Sequence, residues 1–459
     1  MMKKYEHYKP TGLKYVPYIP SNWSILKNKS FLFEKKDVNK DNNGLLLSLS
    51  QYTGITLKKD DDKQGMFRAE SLLGYRIVKK DDIVMNIMLA WNGSTACSKF
   101  EGVISPAYAV FSIKNDFISP RFLDYFFRLP ATCGYFKAYS TGIINSRLRL
   151  YPEIFMQLFS IIPPREEQDQ IVRFLDYKIS KINSLIKGYQ KQIKLLKERR
   201  ANVIELAVTQ GIDDSVELKD SGAHWLPKIP KHWNMVYSKK LFAQRKDKAF
   251  PGDMQLTSSQ KYGIISQDEY MRIEGRRLTV VMTGADILKH VGKGDFVISM
   301  RSFQGGLEYS YVEGKISSAY VMLIPDHEKV YDEYFKWLLK SKSYIKALQG
   351  TSDLVRDGQA LRYANFAKVS LPEIPLDEQK AIAEYIESEV NKIDEALPFF
   401  QKQIDLLREY RTRLISDVVT GQIDVRDEVI PEYTAVEDEP EQTEENEENN
   451  LLEDGEENI

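Results

Sequence analysis

The residues best suited to chemistry are polar and basic side chains at matching places in the two halves of the chain. In the first half the candidates are Gln51, Tyr52, Lys58, Lys59, Asn92, Ser140, Thr141, Asn145, Arg147 and Arg149. In the second half they are Gln260, Lys261, Tyr262, Arg301, Gln304, Thr351, Ser352, Arg356, Gln359 and Arg362. Gln, Asn, Arg and Lys can bond base edges, and Ser and Thr can hold phosphates. As a set they favour a nucleic-acid face, although any single one could equally be a solvated loop residue.

The sequence carries no recognisable catalytic motif. It has no GxxxxGK[ST] phosphate loop, no GxGxxG after a strand and no Asn-Pro-Pro-aromatic or Asp-Pro-Pro-aromatic tetrapeptide for amino-methyl transfer. The five histidines do not cluster at metal-ligand spacing, and acidic pairs such as Asp81-Asp82 are typical of loops. We therefore predict a non-catalytic chain that binds no metal or cofactor itself.

The elements that must position these residues occur twice, about 210 residues apart. Three segments return in the same order: Pro17-Tyr-Ile-Pro20-Ser-Asn-Trp23 as Pro227-Lys-Ile-Pro230-Lys-His-Trp233, Glu101-Gly102-Val-Ile104-Ser105 as Glu313-Gly314-Lys-Ile316-Ser317, and Pro164-Arg-Glu-Glu167-Gln168 as Pro375-Leu-Asp-Glu378-Gln379. Such a duplication predicts two similar domains related by a pseudo-twofold axis, which suits a two-sided target.

Each repeat predicts an α+β domain followed by a long helix. Short β-like runs bounded by Gly, Asn and Asp alternate with helix-like patches such as residues 121–127 and 332–338. The predicted boundaries are residues 1–160 for the first domain, 161–212 for the first long helix, 213–371 for the second domain, 372–426 for the second long helix and 427–459 for a tail.

Each predicted long helix carries an apolar seam with spacings of three and four residues. The first seam is Ile171, Leu175, Ile179, Ile182, Ile186, Tyr189, Ile193 and Leu196, and adding 211 gives Ile382, Ile386, Val390, Ile393, Leu397, Phe400, Ile404 and Leu407. This period is typical of a coiled coil, so we predict that the two helices pair. The alternative is that each seam packs against its own domain. A twofold axis between the repeats requires the helices to be antiparallel.

Several residues mark the ends and the middle of these helices. Prolines and acidic residues precede or open the first turn, and Gly211 and Gly421 are placed to end the helices. Gly188 and Pro398 fall at almost the same repeat position, which predicts a kink or break there in both helices.

The bulk composition is that of a globular protein with an acidic end. Of 459 residues, 42% are hydrophobic and 28% charged, and no apolar run approaches the roughly 20 residues of a membrane span. The start has no secretory signal pattern, and Cys97 and Cys133 lack CxxC spacing, so we expect two free thiols in a reducing cytoplasm.

The charge is distributed unevenly along the chain. Residues 427–459 contain 15 Asp and Glu and no Lys or Arg, so of the 66 acidic residues 51 remain in the body against 64 basic ones. A basic body suits a polyanion partner, and the tail composition predicts disorder. The tail is either a solubilising sequence or a screen against nonspecific binding.

The doubled order of motifs resembles the specificity subunits of type I restriction-modification systems. The resemblance rests on Pro163-Pro164-Arg-Glu-Glu167-Gln168 and Pro372-Glu-Ile-Pro375-Leu-Asp-Glu378-Gln379 at the helix starts. It rests also on Val208-Thr209-Gln-Gly211-Ile212-Asp213 and Val419-Thr420-Gly421-Gln-Ile423-Asp424 at the helix ends. It covers about residues 10–426, and the acidic tail is a departure from it.

The resemblance implies two target recognition domains that each read one half of a split DNA site, with the helices as a ruler between them. It also implies two methyltransferase subunits that carry S-adenosylmethionine, and restriction subunits that use ATP and Mg for cleavage. Because residues 53–80 and 263–290 barely align, we expect the half-sites to differ. The competing hypotheses are a stand-alone DNA-binding regulator and a coiled-coil adaptor that binds proteins.

Overall fold

The computed structural model describes residues 3–51, 53–58, 71–143, 148–275, 287–299, 302–351 and 361–437. The chain forms two compact units, which we call unit 1 (residues 1–190 and 402–459) and unit 2 (residues 191–401). Each unit mixes strands and helices. Two long helices, α5 (Arg165–Gln210) and α11 (Leu376–Val419), are each divided between the two units. The predicted α+β class with two long helices is confirmed.

Unit 1 is built from twelve described strands and four short helices besides the long ones. The strands are β1 (Tyr8–Pro10), β2 (Tyr18–Pro20), β3 (Ser24–Lys27), β4 (Leu32–Lys35), β5 (Leu47–Ser50), β6 (Gly54–Leu57), β7 (Arg76–Val78), β8 (Ile83–Asn86), β9 (Thr95–Cys97), β10 (Gly102–Ile104), β11 (Tyr108–Ile113) and β12 (Phe159–Ile162). The helices are α1 (Asn28–Phe31), α2 (Pro120–Phe127), α3 (Pro130–Tyr139) and α4 (Pro152–Gln157).

Unit 2 has the same order of strands with a slightly different set of helices. Its described strands are β13 (Leu218–Ala223), β14 (Leu226–Pro230), β15 (Asn234–Tyr237), β16 (Phe242–Gln244), β17 (Leu256–Ser259), β18 (Gly263–Ser266), β19 (Lys289–Val291), β20 (Phe296–Ile298), β21 (Glu308–Tyr309), β22 (Gly314–Ile316), β23 (Val321–Pro325) and β24 (Ser370–Glu373). Its helices are α6 (Gln267–Glu274), α7 (Ser302–Gly305), α8 (Asp332–Leu338), α9 (Lys342–Gln349) and α10 (Tyr363–Phe366).

The two units repeat one sheet arrangement. The central antiparallel sheet has the strand order β4–β11–β8–β9 in unit 1 and β16–β23–β20–β21 in unit 2. Four two-stranded sheets also correspond: β1–β2 with β13–β14, β3–β12 with β15–β24, β5–β6 with β17–β18, and β7–β10 with β19–β22. The inner strand β8 is buried along its whole length, so both of its faces are covered. This explains why its sequence begins with a run of apolar residues instead of alternating with polar ones.

The repeated sequence segments meet at one junction in each unit. In unit 1 the buried Trp23 donates from Nε1 to Glu167 at 2.8 Å, and a Cβ on Gly421 would lie 3.1 Å from the Trp23 ring. In unit 2 Trp233 donates to Glu378 at 2.9 Å, and a Cβ on Gly211 would lie 3.5 Å from the Trp233 ring. Both glycines have positive φ, as expected for residues that end a helix.

The glutamine next to each junction glutamate connects the helix start to its domain. Gln168 donates to the carbonyls of Pro163 (2.8 Å) and Phe117 (2.9 Å) and accepts from the backbone N–H of Ser119 at 2.7 Å. Gln379 makes the same three kinds of bond in unit 2, with Ile374, Lys329 and Tyr331. The Glu-Gln pair is therefore a structural joint, which explains why both copies keep it.

The long helices contact each other through the same pair of positions in both units. In unit 2 Arg200 Nε donates to Asp394 at 3.0 Å, and in unit 1 Arg411 donates to Asn183 at 2.9 Å. Adding 211 to Asn183 and Arg200 gives Asp394 and Arg411, so one contact is the repeat copy of the other. The first part of α5 meets the last part of α11 in unit 1, and the reverse holds in unit 2, as antiparallel helices require.

We predicted a kink or a break in both long helices, and the predicted break is wrong. Both α5 and α11 continue through Gly188 and Pro398 as single helices of 46 and 44 residues. Pro398 removes one backbone donor. The helix nevertheless continues, because the seam residues Ile393 and Ile404 on either side of it are buried.

The predicted seam is largely buried. Ile171, Leu175, Ile182, Ile186, Ile382, Ile386, Ile393 and Ile404 are buried, whereas Ile193, Leu196, Leu397 and Leu407 are half-buried. Ile382 and Ile386 belong to the same core as Trp233 and Leu371, so the start of this seam packs against its own domain, which was the alternative interpretation. Pairing of the remaining seam residues stays a prediction.

The chain continues beyond α11 in contact with unit 1. The Tyr433 ring packs edge-on against Tyr177 with 5.3 Å between centroids, and Asn183 donates to the Val436 carbonyl at 3.0 Å. Nothing in the acidic composition of residues 427–459 predicts these contacts. Residues 438–459 lie outside the described part of the chain.

Candidate nucleic-acid interface

A hairpin in each unit presents the first group of predicted residues. Ser50 pairs with Gly54 in β5–β6, and Ser259 pairs with Gly263 in β17–β18, so each tip has three residues. Gly54 and Gly263 have φ of 72° and 71°, the left-handed conformation that closes such a tip. Gln51 and Gln260 therefore occupy the same position on the two hairpins. The next two residues are Tyr-Thr in unit 1 and Lys-Tyr in unit 2.

A small apolar core fixes each hairpin on its central sheet. Under β5–β6 the cluster contains Leu47, Leu49 and Ile55 together with Val84 and Val110 of the sheet. Under β17–β18 it contains Leu256, Ile264, Val291, Val297, Ile316 and Met322. Because each hairpin is packed along its length, its tip is held on a rigid base, and the side chains at the tip are free to differ without changing the scaffold.

Basic residues that the sequence reasoning missed lie beneath the hairpins. In unit 1 Arg128 donates to the Gln51 carbonyl at 2.9 Å, which ties the tip to the end of α2. In unit 2 Lys340, 212 residues later, pairs with Glu308 at 2.6 Å. Burial raises the pKa of Glu308, and Lys340 opposes that shift. A basic residue at the same position of both repeats was the available sequence signal.

The turn after β8 and the short helix after β20 carry the second group. Asn92 ends the 3-10 turn Ala90–Asn92 and Gln304 lies in α7, and both side chains are exposed. In unit 2 this segment touches the hairpin, because a Cβ on Gly305 would lie 2.7 Å from Gln260 Nε2. Gln260 therefore lies against the segment that contains Gln304, and their shared role in DNA binding stays a prediction.

The loop near the end of each domain carries the third group. Thr141 and Arg149 exchange two backbone hydrogen bonds of 2.9 Å, and the adjacent Leu150 N–H donates to the Ile87 carbonyl at 2.9 Å. The bond between Leu150 and Ile87 joins the loop to the segment that leads to Asn92. In unit 2 Asn365 donates to the Thr351 carbonyl and accepts from the Arg362 N–H, both at 3.0 Å, which brings Thr351 and Arg362 together.

Some predicted side chains also have structural partners. Ser140 and Thr351 donate to helix carbonyls, those of Phe136 (2.8 Å) and Leu348 (2.7 Å). Tyr262 donates to Glu274 at 2.8 Å. Lys58 is exposed just after β6. The predicted residues that lie outside the described part of the chain are Tyr52, Lys59, Asn145, Arg147, Arg301, Ser352, Arg356 and Gln359.

We also searched the described residues for metal sites, membrane-spanning helices and disulfides. Among the residues that the structure describes, no group of three or more His, Cys, Asp and Glu side chains could hold a metal ion. Within the same ranges, no helix combines the length and apolar character needed to cross a membrane. Cys97 and Cys133 are free thiols, and burial raises the pKa of Cys133 to about 11.

Two curated proteins are similar to this chain, whereas no protein-family model matches it. The type I restriction enzyme MjaVIII specificity subunit of Methanocaldococcus jannaschii is 24% identical over 368 residues, which cover 76% of this chain and 82% of that protein. The putative type I restriction enzyme MjaX specificity subunit of the same organism is 26% identical over 273 residues, 58% of this chain and 59% of that protein.

A solved structure shares the fold. It comes from work on complex assembly and conformational transition of the type I R-M system. The TM-score is 0.59 at 14% identity, and the match covers 88% of this chain and 99% of that chain. The curated relatives confirm the resemblance carried by the doubled motifs: this chain is a homologue of the specificity subunits of type I restriction enzymes.

Proposed function

We propose that this chain is the non-catalytic DNA-specificity subunit of a type I restriction-modification complex and reads a bipartite, asymmetric DNA site. The observation that carries the proposal is one scaffold present twice with different residues at the tips. The hairpins have equal length and equivalent glycines, yet the sequence between their last paired residues is Gln-Tyr-Thr in unit 1 and Gln-Lys-Tyr in unit 2. Different side chains on the same frame read different bases.

The chemistry of the tips suits direct reading of base edges. The major groove admits a two-stranded β-ribbon, and a glutamine can bond adenine N6 and N7 together. We expect Gln51 and Gln260 to make this contact, together with Asn92, Gln304 and the loops at Thr141 and Thr351. The excess of basic residues in the body supplies the attraction to phosphates that does not depend on sequence.

The long helices are proposed to set the gap between the half-sites. An α5 of 46 residues has a length of about 69 Å at 1.5 Å per residue. We propose target recognition domains at residues 1–160 and 213–371, with spacer helices in 161–212 and 372–426. The hydrogen bonds of Asn183 with Arg411 and of Asp394 with Arg200 would keep the helices in register.

The partners follow from the proposed role. Two methyltransferase subunits would carry S-adenosylmethionine, and restriction subunits would use ATP and Mg for translocation and cleavage. This chain would contribute the DNA contacts and the frame on which those subunits assemble.

The decisive experiment is methylation mapping of host DNA with and without this gene. We expect loss of one modified motif made of two unlike half-sites around a fixed gap. An unchanged methylation pattern, in a host whose methyltransferase partner is expressed, would contradict the proposal. A stand-alone regulator would instead change transcription without changing methylation, and a protein-binding adaptor would show no salt-dependent DNA binding.

A further inference from the structure

The turn after β8 presents two large apolar side chains to solvent. Met88 and Leu89 are 38% and 41% exposed, and they are adjacent in the sequence. A single exposed apolar residue is ordinary on a protein surface. Two neighbouring ones beside the proposed DNA-binding residues offer an apolar contact that the polar candidates do not provide.

Hydrogen bonds fix the backbone of this turn. The buried Asn86 accepts the Met88 N–H on its side-chain oxygen at 2.9 Å, and its carbonyl accepts from the Leu89 N–H at 3.1 Å. The Asn92 N–H donates to the Leu89 carbonyl at 2.9 Å, and Trp91 Nε1 donates to the Met88 carbonyl at 2.9 Å. The backbone therefore holds both residues in place while their side chains stay uncovered.

Met88 and Leu89 lie between two groups of proposed DNA-binding residues. On one side, Ile87 accepts from the Leu150 N–H at 2.9 Å, which joins it to the loop that carries Thr141 and Arg149. On the other side, Asn92 follows Leu89 by three residues. A duplex that contacts both groups therefore passes close to the apolar pair.

The second repeat has polar residues at the matching positions. The glycines that end the two turns, Gly93 and Gly306, are 213 residues apart, and both have positive φ. The same offset aligns Met88-Leu89 with Arg301-Ser302. Arg301, a predicted DNA-binding residue, lies outside the described part of the chain, and arginine is the commonest reader of guanine. The apolar pair at this position in unit 1 suits a different, apolar feature of a base pair.

We propose that Met88 and Leu89 are specificity-determining residues that contact the 5-methyl group of thymine in the half-site read by unit 1. This inference rests on the proposed function. The thymine methyl is the apolar group that base pairs present in the major groove, where Gln51 is expected to bond adenine. Burial of one methyl group changes the affinity about fourfold, so the contact separates thymine from an otherwise identical base without the methyl.

The test compares DNA duplexes that differ only in this methyl group. The chain in complex with its methyltransferase subunits is bound to its mapped site, with uracil replacing thymine at one position at a time in both half-sites. We expect uracil to weaken binding about fourfold at one or two positions of a single half-site. The double variant Met88→Ala with Leu89→Ala should bind the thymine and uracil duplexes equally at those positions.

Two further variants serve as controls. Met88→Leu with Leu89→Met keeps the apolar bulk and should keep the preference for thymine. Leu206→Ala removes an exposed leucine of α5 in unit 2 and should leave the preference unaltered.

Three results would contradict the inference. Equal affinity of the natural complex for every thymine and uracil duplex, or a site without thymine, would overturn it and leave the proposed function standing. A double variant that binds both duplexes more weakly by the same factor would assign the pair to phosphates or to a partner subunit instead of thymine. Absence of sequence-specific, salt-dependent binding by the natural complex would reject the proposed function as well.

Discussion

Replacing Glu167 by alanine is the sharpest test of the junction that defines both repeats. Glu167 is 5% exposed and accepts from Trp23 Nε1 at 2.8 Å, from Asn22 at 3.1 Å and from the Tyr5 hydroxyl. Burial raises the pKa of Tyr5, so its hydroxyl keeps the proton that it donates. Glu167→Ala removes the only acceptor that the structure shows for Trp23 Nε1 and the Tyr5 hydroxyl.

The magnitude follows from how many buried donors lose their partner. Trp23 and Tyr5 are 0% and 6% exposed, whereas Asn22 is exposed and can turn to water. An unsatisfied buried donor costs about 1–3 kcal/mol, so Glu167→Ala should lower the free energy of unfolding of unit 1 by about 4 kcal/mol. Glu167→Gln keeps an acceptor oxygen and should cost less than half of that.

The second repeat supplies the matched control. Glu378 accepts from Trp233, which is buried, and from His232, whose side chain is 44% exposed. Glu378→Ala therefore leaves one buried donor unsatisfied and should lower the free energy of unfolding of unit 2 by about 2 kcal/mol.

Hydrogen exchange measured by mass spectrometry can follow the two units separately. We expect Glu167→Ala to speed exchange in peptides of β1–β3 and the start of α5, with little change in unit 2. Glu378→Ala should act on unit 2 in the same way but about half as strongly on the free-energy scale. Equal losses for the two variants, or a loss spread evenly over both units, would refute the count of buried donors.

Four further predictions concern the proposed recognition surfaces, the helices and the residues that follow α11. Lys340→Met should lower the free energy of unfolding of unit 2 by about 3 kcal/mol, because it leaves the 2% exposed Glu308 unpaired. Arg128→Met should lower the free energy of unfolding of unit 1 by less. Urea unfolding followed by hydrogen exchange measures both. Gln51→Ala and Gln260→Ala should each relax specificity by about 1–3 kcal/mol in one half-site, and methylation mapping checks whether the other half-site is untouched. Deleting one heptad from both long helices should shorten the preferred gap without changing the half-sites, and an unaltered gap in the methylation map would exclude the ruler. The hydrogen bond from Arg426 lowers the pKa of Asp424 in the folded chain. This pair therefore stabilises the fold at pH values above the unfolded pKa of about 3.9, and the stabilisation is lost as the pH falls through the folded pKa. Asp424→Asn lacks this stabilisation, so its acid unfolding should begin at a higher pH than that of the natural chain.

The sequence predicted the parts of the fold that depend on repeated, strongly patterned segments. Two α+β units, two long helices and glycine helix ends all follow from residues such as Trp23, Glu167 and Gly211. The predicted break at Pro398 does not occur. The proline removes one backbone hydrogen bond, but burial of the seam residues on both sides of it outweighs that loss. The period of the seam near Ile382 could not tell whether it packs against the other long helix or against its own domain, because both kinds of packing require the same apolar spacing.

The equivalent positions of the proposed recognition residues were predicted from the sequence, but the contacts that support them were not. Comparison of the repeats places Gln51 and Gln260 at equivalent positions, and the hairpins bear out that equivalence in register. The roles of Arg128 and Lys340 beneath the hairpins depend on a carbonyl and a buried carboxylate that come from distant parts of the chain. The contacts of residues 428–437 with α5 were missed because Ser180 and Asn183 look like ordinary exposed helix residues until that segment covers them.

The division of the chain between the units also has a consequence for its synthesis on the ribosome. Unit 2 is one continuous stretch, residues 191–401, inserted within unit 1, whose second portion begins at residue 402. Nascent chains fold domain by domain at about 5–20 residues per second. Unit 2 can therefore fold as soon as it emerges, while the first part of α5 waits for the end of α11. During that delay Asn183, which lies between the apolar residues Ile182 and Ile186, lacks its partners Arg411 and Val436. Ribosome-bound chains cut short near residue 400 should therefore be bound by chaperones at this segment.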